Sequence, residues 1–441
     1  MLPPRWARAR TTGARRGGQG FSMVSRWQWV LRQIFQKLWV VAALYTVLGI
    51  ATAFLAPLIG PMLPPGLGSR LGSGAVEAVL SVLASSMLSV VTFSLGIMVS
   101  AFTAASGSVT PRATALLKSD RTTQRVLSTF LGSFLFSLIG IIALNAGFYS
   151  DNDRLVLFVV SILVVVVIVI AILRWIAHLT VFGLMNDSIS KVEDAARSAL
   201  EARLKSPFLG GVELRGDPPA GARAVTHTSI GYLVHVDMNA LHQAAEDHDL
   251  QLYLAATPGR FLHPNLPALW VTGAEGIDPG TFDPDSLADA LTVSITRNYD
   301  QDPRFGLIVL TEIAERALSP AVNDPGTAID ILGRIVRLLQ PWGDQSPVEV
   351  RFARIRVPAL QAEDLFEDVF PPIARDGAGL FAVQMRLQKS LLALAQIAPG
   401  TFGAVARRHS DQAMARCRDR MLPAERARLG AVAALIGRHA G

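Results

Sequence analysis

Residues 78–105 read AVLSVLASSMLSVVTFSLGIMVSAFTAA, twenty-eight positions without a charged side chain. That exceeds the roughly 20 residues a bilayer-spanning helix needs. Polar and apolar positions are segregated along it. At about 100° per residue, Ser81, Ser85, Ser89, Thr92, Gly96, Ser100 and Thr103 fall inside an arc of about 100°. Leu83, Val90, Val91, Ile97, Met98, Ala101 and Phe102 fall outside it. A small, hydroxylated helix face in a membrane either admits another backbone or lines a polar path.

Three further apolar runs, 38–56, 126–148 and 155–173, predict three more spans. The last is greasy all round and reads as lipid-facing, whereas Gly132, Ser133, Ser137 and Gly140 give the third a small face that could receive the arc. The loop 57–74, with four Pro and five Gly, and the acidic turn 151–153 connect them on one side. On the other, the connection after residue 105 carries Arg112, Lys118, Arg121 and Arg125.

The period changes after residue 182. Residues 185–205 are amphipathic and read as a continuation of the fourth span, and 206–222 as a linker rich in Gly and Pro. Residues 225–236 alternate as a strand pair broken at Gly231, and Asp237 can cap a helix reaching His248. Strands are predicted at 250–256, 261–262 and 268–271. This resembles a small barrel-sandwich unit in architecture alone, because the Met-Lys-Met type of attachment site is missing. Helices are expected over 285–298, 305–318, to about 339, and over 362–370, 380–398, 402–421 and 425–438, with an exposed or edge strand at 348–356. The fold class is thus an α-helical membrane protein of four spans with a C-terminal α+β cytoplasmic domain. Its segments are a basic N-terminal stretch (1–37), the transmembrane domain (38–182), a helical linker (183–222), a small β-rich subdomain (223–280) and a mainly helical subdomain (281–441).

Charge supplies the orientation. Residues 1–182 hold 15 Lys or Arg against 4 Asp or Glu, and residues 183–441 hold 26 against 31, so the basic pI of 9.8 is carried by the membrane half. Eight basic residues precede the first span and four lie between the second and third, which places both segments and both termini in the cytoplasm by the positive-inside rule. The expected location is a bacterial inner membrane, with the lipid bilayer as partner and no nucleic acid. Arg15 and Arg16 invite a twin-arginine reading, but the apolar run that follows is too long and too distant for a signal peptide. Met1 and Met23 both remain candidate starts.

Candidate chemistry is sparse. No Asp, Glu, Lys or Arg lies deep in any span, which argues against a proton relay. One cysteine, Cys417, excludes an internal disulfide and a cysteine-rich metal site. His227, His235, His242, Glu246 and His248 cluster in sequence, but a metal needs three or four to converge, and they read as ordinary sheet and surface side chains. No P-loop, HExxH, nucleophile elbow or dinucleotide fingerprint occurs, so nothing supports an enzyme or a cofactor. Ser319, Pro320, Asn323, Asp324 and Pro325 form a turn between two helices, with Glu312, Glu315 and Arg316 before it and Asp330 and Arg334 after it. It reads as a capped αα-hairpin or as an elbow meeting the membrane loop.

Four spans, Thr110-Pro111-Arg112, and Phe305-Gly306-Leu307 leading into S-P-A-V-N-D-P at 319–325 resemble a bacterial family of predicted membrane proteins of unknown function that carries an S-P-A-[IV]-N-D-P motif. Where that family is expected to read Ser-Pro-Arg, this chain has Thr-Pro-Arg. The resemblance implies the fold and brings no activity with it. The residues suggest a homo-oligomeric channel for ions or small solutes, its path lined by Ser85, Ser89, Thr92, Gly96, Ser100 and Thr103, with Arg112, Lys118, Arg121 and Arg125 at its cytoplasmic mouth. The alternative is a scaffold or sensor that transports nothing.

Overall fold

A computed structural model describes residues 38–62, 64, 74–118, 120–146, 149–180, 182–273, 283–343 and 349–439. The basic segment 1–37 and much of the 57–74 loop lie outside the described residues, as do the side chains of Lys118 and Arg121. Helices α1 (Leu38–Ile59), α2 (Ala75–Ser108), α4 (Arg121–Asn145) and α5 (Asp151–Leu179) contain four segments long and apolar enough to cross a membrane. The basic connection between α2 and α4 is itself largely helical, as α3 (Pro111–Lys118). Pro111 starts it, where a missing N–H and a fixed φ cost nothing.

Helix α4 is the hub, packing on α1, α2 and α5. Its small residues face apolar side chains. A Cβ on Gly132 would come within 2.6 Å of Tyr45 in α1, and one on Gly140 within 2.9 Å of Leu80 in α2. Ser133 and Ser137 are buried and donate to carbonyls of their own helix, Thr129 at 2.7 Å and Ser133 at 2.8 Å. Helix α2 meets this surface with Leu80, Leu83, Met87 and Val91, so α4 does not receive the hydroxylated arc.

Helix α6 (Met185–Lys205) is not a continuation of α5. The chain breaks between them at Gly183, whose φ of +79° suits glycine and where a Cβ would lie 2.7 Å from that of Ala101. The turn therefore lies directly against α2. Beyond it come two units. The first contains β1 (Val212–Glu213), β2 (Arg223–Thr226), β3 (Gly231–Val236), α7 (Met238–Asp247), β4 (Gln251–Leu254), β5 (Phe261–Leu262), β6 (Pro267–Thr272), β7 (Leu291–Ser294) and β8 (Ile355–Val357). One sheet runs β1-β8-β4-β6-β2 and a second runs β5-β3-β7. The α7 cap is as expected, with Asp237 accepting from Asn239 and Ala240 N–H at 3.1 Å.

Several expectations are corrected here. Strands β2 and β3 join different sheets and do not pair with each other. Residues 285–298 are not one helix: a 3₁₀ segment, Pro284–Ala290, leads into β7, where Leu291-Thr292-Val293-Ser294 favours a strand. The strand expected at 348–356 is replaced among the described residues by β8, which lies inside the sheet between β1 and β4, in parallel with both. The β-rich unit thus draws strands from outside 223–280.

The second unit comprises α8 (Phe305–Leu318), α9 (Pro325–Leu339), α10 (Ala362–Glu367), α11 (Phe370–Asp376), α12 (Phe381–Ile397), α13 (Pro399–Cys417) and α14 (Pro423–Gly437). Phe366, Phe370 and Phe402 fill its core. Helix α2 contributes to two cores. Leu80, Leu83 and Met87 belong to the membrane bundle, while Ala105 is buried in the core of this helical unit, with Met98, Ala101 and Phe102 packed against it. At about 1.5 Å per residue, its 33-residue apolar segment is about 50 Å long, well beyond a ~30 Å hydrocarbon layer.

Candidate functional site

Ser81, Ser85, Ser89, Thr92, Gly96, Ser100 and Thr103 all lie on the exposed side of α2. A Cβ on Gly96 would meet nothing within 4 Å. Four of the hydroxyls donate within the helix: Ser85 to Ser81 O at 3.0 Å, Ser89 to Ser85 O at 3.0 Å, Thr92 to Ser89 O at 2.9 Å and Thr103 to Val99 O at 3.0 Å. Such back-bonding lets a hydroxyl sit in an apolar medium without a separate partner. Val82, Leu88, Phe93, Leu95 and Val99, also exposed, flank the arc. The chain therefore presents an uncharged face on α2, polar along its middle and greasy at its margins.

Helix α8 and the segment before it hold the end of that helix and the start of α3. Arg316 donates to Gly107 O at 2.6 Å, Glu312 pairs with Arg112, and the Tyr299 hydroxyl donates to Arg112 O at 3.3 Å. Burial pushes the Glu312 carboxyl above its ordinary range, with Arg112 opposing and Glu315 reinforcing the shift. Of the expected mouth residues, Arg112 is thus engaged by α8, and Arg125 is exposed on the first turns of α4. A second junction joins α4, α5 and α6. Asp120 caps α4 through Thr123 N at 2.8 Å and lies 3.0 Å from His178 Nε2 and 3.4 Å from Lys191 Nζ. Burial would raise its carboxyl, but the bonds from Thr123 and the charges of Lys191 and His178 hold it below the usual range.

The turn at 319–325 follows directly on the clamp. Ser319 Oγ donates to Arg316 O at 2.6 Å, and Asn323 N–H to Ser319 O at 2.9 Å. Asn323 takes φ +50°, a left-handed conformation that asparagine tolerates better than most residues. Asp324 caps α9, accepting from Thr327 N at 3.1 Å and from its hydroxyl at 2.6 Å, and Pro325 occupies the first turn. Pro320 is exposed. Every polar residue of the turn has a stereochemical task. Just past the turn, the Thr327 hydroxyl of α9 lies 4.0 Å from the Sδ of Met185, the first residue of α6. The residue that grips α2 is Arg316, one turn earlier, and Glu312, two turns earlier, holds Arg112 at the start of α3.

Helix α6 is fixed to α9 by a buried network. Arg334 donates to Glu193 at 2.7 Å, Asp330 at 2.6 Å and Asn186 at 2.9 Å, and Arg337 to Glu193 at 3.2 Å. The histidines that cluster in sequence are put to other uses. His242 stacks edge-on against Phe352, and among the described residues no three His, Cys, Asp or Glu side chains are placed to hold one metal ion.

These features define a four-span helical membrane protein whose second span is built into a mixed α/β C-terminal half. Residues 36–393 match the model of a family described as predicted membrane protein (DUF2254), and the chain belongs to that family. It is 25% identical over 322 residues to uncharacterized proteins of Mycobacterium bovis and Mycobacterium tuberculosis. The match covers 70% of this chain and 61% of those relatives, so it spans under two thirds of their length. No solved structure matches.

Proposed function

We propose that this protein is a homo-oligomeric permeation protein of the bacterial inner membrane, with both termini cytoplasmic and its C-terminal half acting as regulator. One observation carries the reading: the uncharged hydroxylated arc of α2 faces outward from the protomer, while the end of the same helix is held by α8. In an oligomer with α2 nearest the axis, Ser85, Ser89, Thr92, Gly96, Ser100 and Thr103 would line the path, where hydroxyls and exposed backbone can replace part of an ion's hydration. Movement of α8 would reach the path through Arg316 and Glu312. No enzymatic step is part of this reading.

A second reading is favoured by the internal bonding of the arc's hydroxyls, which leaves them able to pack dry against a second copy. The protein would then be an oligomeric scaffold or sensor. Cysteine substitutions at positions 85, 89, 92, 96, 100 and 103, in a Cys417→Ala background, separate the two. Water-soluble thiol reagents label a wet path and block its conductance. Resistance at all six positions, with no conductance after reconstitution, ends the permeation reading.

A further inference from the structure

Four arginines meet in a cavity of about 440 Å³ between the β-rich and helical units. Arg203 comes from the last turn of α6, Arg260 from the loop between β4 and β5, and Arg297 and Arg304 from the segment leading into α8. Thr257, Gly259, Leu360 and Asp364 complete the parts of the wall that matter here. A cavity of this size is in the range of small-molecule sites.

The four guanidinium groups are not equivalent. Arg297 is held by Asp302 at 2.7 Å, a carboxylate only 1% exposed that also accepts from Arg304 and Phe305 N–H. Arg304 forks onto Asp368 at 2.6 and 2.8 Å and reaches Asp364 at 3.2 Å. These two are structural pairs, rigidly placed at the wall. Arg203 is different. It is 4% exposed, and its Nη2 is buried without a hydrogen-bond partner. Asp302, already engaged, supplies its opposing charge, and burial pushes the guanidinium down to about 10. Arg260 is exposed at the rim and forms no ion pair among the described residues. A buried guanidinium nitrogen left without a hydrogen-bond partner is costly, and such a group calls for an explanation.

We propose that this cavity binds a phosphate group, with Arg203 at its base and Arg260 at its rim as the two guanidinium groups that contact it. Guanidinium forks match phosphate oxygens in geometry and charge. The volume leaves room for an organic body on the phosphate, so inorganic phosphate and a phosphate monoester are both candidate sources. Arg203 lies eighteen residues along α6 from Met185, about 27 Å of helix. The site stands independently of whether α2 lines a path.

The test uses the full-length protein in detergent, with inorganic phosphate and AMP titrated separately at an ionic strength fixed with chloride. Melting temperature should rise with either probe as expected for a ligand of the folded state. Tighter binding of AMP assigns the site to a phosphate monoester; equal or tighter binding of phosphate assigns it to the free ion. Arg203→Gln and Arg260→Ala should each weaken the apparent affinity about tenfold or more, as loss of a charged hydrogen bond does. Arg260 is exposed, so its variant decides the matter even if Arg203→Gln fails to fold. No stabilisation by either probe in the unaltered protein overturns the proposal. So does stabilisation that survives undiminished in Arg260→Ala.

Discussion

Arg316 donates through Nη2 to the carbonyl oxygen of Gly107 at 2.6 Å, joining the last turn of α8 to the last turn of α2 across 209 positions of sequence. The last carbonyls of a helix lack partners within it and carry the negative end of its dipole, so a cation there is favourable. The contact makes the end of α2 part of the C-terminal half, as the burial of Ala105 in that half's core also does.

Arg316→Gln should weaken this junction by about 1–2 kcal/mol, in the range of a charge-assisted bond at a partly exposed site. Hydrogen exchange should show faster amides over 105–113 and unchanged protection over 126–140. Equal loosening of both regions would mean that Arg316 supports the whole fold and not the junction.

Gly306 is the point where α8 presses on α6: a Cβ there would lie 2.4 Å from that of Ala196. Gly306→Ala must part the two helices and should cost about 1–3 kcal/mol, as overpacking does. Adding Ala196→Gly removes the opposing methyl group and should recover part of the loss. Detergent melts of the two single variants and the double complete the cycle.

The turn at 319–325 makes two demands that can be measured apart. Asp324→Ala removes the cap on α9 and should cost about 0.5–2 kcal/mol, while Asn323→Gly should be nearly neutral and Asn323→Val destabilising, because φ is positive. Bonds from the Thr327 hydroxyl and N–H hold the Asp324 carboxyl below its ordinary value. Its stabilisation is therefore present above the unfolded value of about 4 and is lost as pH falls through the lowered folded value. Asp324→Asn should flatten that part of the stability profile. An altered oligomer at unchanged melting temperature would instead assign the turn to coupling.

Much of this fold is legible in the chain because its signals are local. Long uncharged runs mark the spans, Asp237 and Asp324 mark helix starts, and Pro-Gly turns separate strands. The failures follow the same logic. Residues 348–356 alternate well, yet the strand that pairs with β1 and β4 is Ile355–Val357, which overlaps that range by two residues. Residues 285–298 carry helix-like spacing, but Pro284 opens a 3₁₀ segment that gives way to a β-branched strand. The outward direction of the arc on α2 could not be read at all, since a small face suits α4 as well as a second copy. Arg203 and Arg260 stand 57 positions apart with no motif between them. Only the packing of α6 against the β4–β5 loop brings them to one cavity.

Orientation is testable without any assay of function. Eight basic residues before the first span and four after the second predict that Pro64 faces outward and the C-terminus inward. Paired reporter fusions, one active outside and one inside the cell, should give opposite signals at these two points. Identical signals would remove one span from the membrane and with it the common side shared by α3 and α8.

Gly96 offers the sharpest test of what faces the arc. Within the single chain its α-carbon looks onto open space, so Gly96→Leu should leave the chain's fold intact, and helix propensity predicts a gain of up to about 1 kcal/mol. In an assembly the same side chain would project into either a path or a neighbouring helix. Size-exclusion chromatography with light scattering, together with conductance in planar bilayers, distinguishes these outcomes. Blocked conductance with an unchanged oligomer places Gly96 on the path. Dissociation to smaller species places it in a packed contact between copies. An unchanged oligomer with no effect on conductance would mean that the arc faces lipid, and both readings of α2 would fall together.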